Sequence, residues 1–224
     1  MHRAYAGGRG RDGVVLFLAV NEYQAARWRR GYPHATVQVV GCPKLDAFPR
    51  EEGPRTGPVC VSFHWPGQVC PEAGTAWPHY RDAVRALADR GDVIGHAHPR
   101  MAEVVRPQLE GWGIPFVDDF DEVLTTAAVY VNDCSSTLYE FAACGGPVVV
   151  LNAPHFRRGV QHGLRFWEYA DVGVQVNEPD QLPAGVALAL EDPPVIAARR
   201  REVVRAVYPV EHAAEAAARH ILAL

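Results

Sequence analysis

The chain is short of lysine, of paired cysteines and of long apolar runs, and each shortage excludes something. Of its 22 Lys and Arg residues, only Lys44 is lysine. With alanine so common, that is coding bias in a GC-rich genome and not a binding feature. A net charge of −4 leaves no basic footprint for nucleic acid. Five cysteines, at 42, 60, 70, 134 and 144, are odd in number and lack metal-like pairing. They read as reduced thiols in a cytoplasmic protein. No segment is long and apolar enough to cross a bilayer. Arg3, Arg9 and Arg11 precede the apolar run 14–20, but that run is short and no small-residue cleavage pattern follows it, unlike a signal peptide. The expected location is cytoplasmic, with contact at the inner face of the membrane peripheral at most.

What is present is 224 residues of 48% hydrophobic content, room for one large domain or a domain with part of another. From residue 57 onward, apolar runs alternate with amphipathic stretches. Strands are predicted at 59–63, 92–97, 115–117, 129–131 and 172–176, with helices at 76–90, 101–111 and 120–126. A mostly helical tail runs from 181, breaks near Pro193-Pro194, and ends in a helix over 210–222. This grammar implies βα units, a Rossmann-like parallel sheet with helices on both faces, and ligands at the carboxyl ends of the strands. The first residues differ: strand 14–20, helix 22–30 and strand 36–40 resemble the end of a domain. A Pro/Gly-rich linker, 48–58, follows. The expected division is therefore 1–50, a remnant of an N-terminal domain with its linker, and 57–224, a nucleotide-donor-binding domain.

The most informative segment is 129–151. An apolar run ends in Asn132-Asp133, three hydroxyl residues (Ser135, Ser136, Thr137) follow, and a short helix stops at Gly145-Gly146-Pro147. Hydroxyls and unpaired N–H groups where a helix follows a parallel strand suit a phosphate or diphosphate, hence a nucleotide-activated donor. The structural alternative is capping: Thr137-Leu-Tyr-Glu140 is a capping-box pattern, and Ser135 or Ser136 could equally cap. Glu140 either folds back on that backbone or reaches ribose hydroxyls.

His96-Ala97-His98-Pro99-Arg100 closes the second of these strands. Period two sends both histidines to one face unless the strand has already ended. At a carboxyl end they could contact phosphate, with His98 as proton donor or charge stabiliser. His-x-His is also a metal-ligand spacing, but no acidic residue or cysteine lies nearby in sequence to complete a set. Neither metal nor cofactor is implied. His64, Arg100, Arg157 and Arg158 are further candidates for phosphate contact, and His162 lies on the same edge. Cys134 beside a helix start gains acidity, yet no base accompanies it. Tyr130, Leu138, Phe141 and Trp167 read as core.

The order Gly41-x-Pro43-x-x-Asp46, then His98-Pro99, then Asp133-x-Ser135-Ser136, Glu140 and Gly146-Pro147 resembles one family. It is similar to the donor-binding half of the CDP-glycerol glycerophosphotransferases, which build teichoic acid polymers of the cell envelope and have the two-domain GT-B glycosyltransferase fold. The likeness covers roughly residues 14–190 and is shared in part with relatives such as UDP-N-acetylglucosamine 2-epimerases. It implies a transferase moving a glycerophosphate or glycosyl group from CDP-glycerol or a UDP- or GDP-sugar. His98 would be the catalytic histidine that meets the diphosphate, with His96, Asp133, Ser135, Ser136 and Thr137 binding the donor and Glu140 its ribose. His96 and Ala97 stand where the family motif has Lys and Pro. Residues 1–46 match only the last strands of the family's N-terminal domain, so a partner chain, a second copy or upstream sequence would complete the acceptor side. The alternatives are a non-catalytic nucleotide- or protein-binding module, or an epimerase-like enzyme.

Overall fold

Buried apolar runs of four or five residues, set between amphipathic helices, fix the architecture of the larger part of the chain. The computed structural model describes residues 8–48, 50, 53, 55–66, 74–156 and 168–224. They divide into two units, Met1–Pro49 with Val204–Leu224, and Arg50–Val203. The alternation of runs predicts a domain reaching residue 224; in the structure the last helix packs with the N-terminal residues.

In the smaller unit, β1 (Leu16–Ala19), α1 (Glu22–Gly31) and β2 (Thr36–Val39) form a βαβ unit with parallel strands. Asn21 starts α1 by accepting the Gln24 N–H on its side chain at 3.0 Å.

The larger unit runs β3 (Val59–Phe63), α2 (Trp77–Ala88), β4 (Val93–Ala97), α3 (Pro99–Gly111), α4 (Phe120–Thr126), β5 (Val129–Asn132), α5 (Thr137–Ala143), β6 (Val148–Leu151), β7 (Val174–Val176), α6 (Leu182–Glu191) and α7 (Pro194–Val207), whose last residues enter the smaller unit. The predicted strand 172–176 is shorter than expected, because Ala170–Val172 forms a 3-10 turn. Its five strands lie in the order β4-β3-β5-β6-β7, all parallel. The strand expected at 115–117 is a single bridge, Phe116 to Gly95, beyond β4. Counting that bridge, the order is the doubly wound one that reverses between β3 and β5.

Strand periodicity sorts the two faces. Val61, Phe63 and Val131 join Tyr80 of α2, Leu109 of α3 and Val186 of α6 in one buried cluster. On the opposite face, Tyr130 lies 5.5 Å from Phe120 of α4 and 5.3 Å from Phe141 of α5, ring to ring. Tyr130, Leu138 and Phe141 are all fully buried, as expected of core. The end of α5 explains Gly145-Gly146. Gly145 takes φ 87°, while its N–H donates to the Ala142 carbonyl and that of Gly146 to Phe141, the Schellman arrangement. A Cβ on Gly146 would lie 2.1 Å from the Phe141 ring.

Candidate functional site

The reversal of winding leaves the carboxyl ends of β4, β3 and β5 side by side. At about 4.8 Å between neighbouring strands, these ends span roughly 10 Å. The residues that follow them are His98, His64 and Asp133, each drawn from a different strand.

Asp133 ties this edge together. Its carboxylate accepts three backbone N–H groups: His64 at 2.9 Å, Ala76 at 2.8 Å and Cys134 at 2.8 Å. The residue is wholly buried. Burial pushes its pKa up, while the three amides and the His64 imidazole pull the other way. Asp133 thus fixes the exit of β3, the start of α2 and the turn after β5. Expected from sequence to bind donor, it is here engaged with the protein's own backbone.

His98 begins where β4 has already ended, and it caps α3. Its Nδ1 accepts the Arg100 N–H at 3.2 Å, which leaves the proton of the neutral ring on Nε2. Its backbone N–H donates to the Phe63 carbonyl at 3.2 Å. Around it stand His64 and Trp65, each with its ring centroid 5.7 Å from that of His98. The Arg100 guanidinium lies 4.4 Å from the Trp65 ring centre, a cation–π contact. Burial, then His64, then Arg100 hold the His98 pKa below its ordinary value. Two residues earlier, within β4, His96 takes the other course. It is buried, shares a hydrogen bond of 2.9 Å with Ser62 Oγ and packs 5.3 Å from Phe120. The two histidines therefore part company at the end of β4, and His96 is built into the α4 face of the core.

The turn 135–137 is largely held from within. The Ser135 N–H donates to Asn132 Oδ1 at 3.1 Å and the Thr137 N–H to Ser135 Oγ at 3.3 Å. Thr137 Oγ1 shares a 2.9 Å bond with the Tyr130 hydroxyl. Asn132 in turn donates to the Ser62 carbonyl and to Tyr130. Ser136 differs: it is exposed, and neither its N–H nor its hydroxyl is bonded among the described residues. Ser136, not Thr137, is the N-cap residue of this helix, and it makes no side-chain cap bond. Glu140 is half-buried on α5.

Sequence reasoning missed Asn132 and Tyr130 as the supports of this turn. The signal was there, since an Asn side chain in a turn commonly accepts a backbone N–H a few residues on. Arg157, Arg158, His162 and Trp167 lie outside the described residues. Among the described residues no group of three or more His, Cys, Asp or Glu could hold a metal ion. No helix among them is long and apolar enough to cross a membrane.

No protein-family model and no curated protein matches the chain. Among solved structures it is similar to the wall teichoic acid polymerase TagF, with a TM-score of 0.57 and 15% identity over 98% of this chain and 59% of that one. A variant of that polymerase soaked with CDPG gives 0.58 and 14% over 93% of this chain and 55% of that one. The chain thus spans somewhat more than half the length of the structures it resembles. At such identity the likeness is one of fold: a parallel α/β sheet flanked by helices.

Proposed function

We propose that this chain binds the diphosphate of a nucleotide-activated donor along the ends of β4, β3 and β5, and serves a GT-B type transfer of a glycerophosphate or glycosyl group. The observation that carries the reading is His98: a strand-end histidine whose Nδ1 is already engaged, so that Nε2 offers an N–H beside Arg100. The site sits at the reversal of a doubly wound sheet, where such folds bind nucleotides. On this reading His98 hydrogen-bonds the departing diphosphate and stabilises its growing charge. Ser136 adds a hydroxyl and a backbone N–H from the adjoining strand end, and Glu140 holds the ribose. Asp133, Asn132 and Tyr130 act through the groups they hold.

CDP-glycerol is the favoured donor, on the motif likeness and on the CDPG soaked into the similar polymerase; UDP- and GDP-sugars are the competitors. A partner chain, a second copy or further sequence completes the acceptor side. Calorimetric titration with CDP-glycerol, UDP-sugars and GDP-sugars ranks the donors, and silence from all of them at millimolar concentration contradicts the reading. Turnover assays with and without candidate partners then separate an enzyme from a binding module.

A further inference from the structure

Resting on the donor-site reading above, we infer that His64 is a second anion-binding residue of this site, forming with His98 an imidazole pair that takes up a proton when a diphosphate binds. The motif likeness supplies His98 but assigns nothing to position 64, so the inference stands on geometry.

The two rings are 5.7 Å apart, centre to centre, and inclined at 60°. With ring nitrogens about 1 Å from each centre, one phosphoryl group making hydrogen bonds of about 2.8 Å can bridge them. Both rings are held from behind. The His64 backbone is fixed by Asp133, and His98 is fixed through its own Nδ1 and its N–H. Trp65 lies 5.9 Å from His64 and 5.7 Å from His98, and it carries the Arg100 guanidinium on its face. His64 Nδ1 is buried with no hydrogen-bond partner among the described residues, which leaves Nε2 as the atom able to meet a ligand.

The charged and titratable groups facing the pair are Arg100 from α3 and Asp133 from the end of β5. Burial, His64 and Arg100 all discourage a proton on His98. An anion lying between the imidazoles reverses that balance, because its negative charge favours the charged form of His98. Each proton taken up on binding makes affinity fall about tenfold per pH unit between the free-state and bound-state pKa values, and the dependence flattens on either side.

The test is calorimetric titration of the full chain with CDP and with inorganic pyrophosphate, between about pH 6 and pH 8, in two buffers of different ionisation heat. The expected result is net proton uptake near neutral pH and binding that weakens, by up to about tenfold per unit, as pH rises. His64→Gln, which keeps the backbone N–H that Asp133 accepts, is expected to weaken binding and reduce the uptake. Histidine NMR of the wild type provides a reading that needs no variant: the His98 imidazole pKa rises on adding pyrophosphate, and the His64 ring signals shift with it. If CDP binds with no proton uptake and His64→Gln matches wild type, this inference falls while the donor-site reading stands. If neither probe binds at any pH, both fall.

Discussion

The Asp133 carboxylate accepts the backbone N–H of His64 at 2.9 Å across 69 positions of sequence. This bond joins the ends of β3 and β5 at the point where the sheet reverses, and two further amides share the same carboxylate. Asp133→Ala strands three backbone N–H groups, two of them buried. It should cost roughly 3 to 5 kcal/mol in urea unfolding. Asparagine, with one acceptor oxygen, should retain part of that. A loss of under about 0.5 kcal/mol for the alanine variant, the range of ordinary surface changes, would remove the latch from the account.

His98→Ala and Ser136→Ala should each weaken binding of the preferred donor by about tenfold, the scale of one lost hydrogen bond to a charged group. The Ser136 side chain is exposed and makes no cap bond, so its variant should unfold at the wild-type urea concentration. Equal donor affinities for wild type and both variants would contradict the assignment.

The His98 proton gives a stability test of its own. Burial, His64 and Arg100 lower its pKa in the folded protein, so the unfolded chain takes up a proton that the folded one resists. The contribution is fully present above the unfolded value of about 6.5 and is lost as pH falls through the window below it. Urea midpoints measured between about pH 5 and 8 should decline on the acid side. His98→Gln should flatten that decline; an unchanged slope would mean the imidazole titrates normally.

Asp46 is held in the sequence motif Gly41-x-Pro43-x-x-Asp46, and the structure gives that motif a local meaning. Its carboxylate accepts the N–H groups of Ala213 at 3.1 Å and Ala214 at 2.7 Å, capping α8 (Ala213–Leu222). Gly41, at φ 82°, lets the backbone pass where a Cβ would lie 2.7 Å from the Val210 carbonyl oxygen. Asp46→Ala should therefore cost about 1 to 2 kcal/mol and lower the midpoint of thermal unfolding, with donor affinity unchanged.

Local pattern made much of this fold legible. Strand 59–63 and helix 120–126 are read from apolar periodicity alone and match β3 and α4 residue for residue, because both faces of the strand and one face of the helix are buried. The helix expected at 101–111 begins two residues earlier, at Pro99, because His98 acts as its cap. What sequence could not supply was pairing over distance. Nothing near Asp133 in sequence says that it will hold His64 and Ala76, and nothing near Asp46 says that it will cap α8. His96 and His98 illustrate the same limit: period two applies only while the strand lasts, and β4 stops between them. The hydroxyl turn was read correctly as a helix start, but its supports come from Asn132 and Tyr130 on the preceding strand.

The most direct test of the donor site follows the amide and imidazole signals of isotopically labelled chain during titration with CDP. The account predicts that the Ser136 amide and the His98 and His64 rings shift together and saturate at one concentration, while signals from β7 and α6 stay still. Saturating shifts that leave residues 64, 98 and 136 untouched would contradict it.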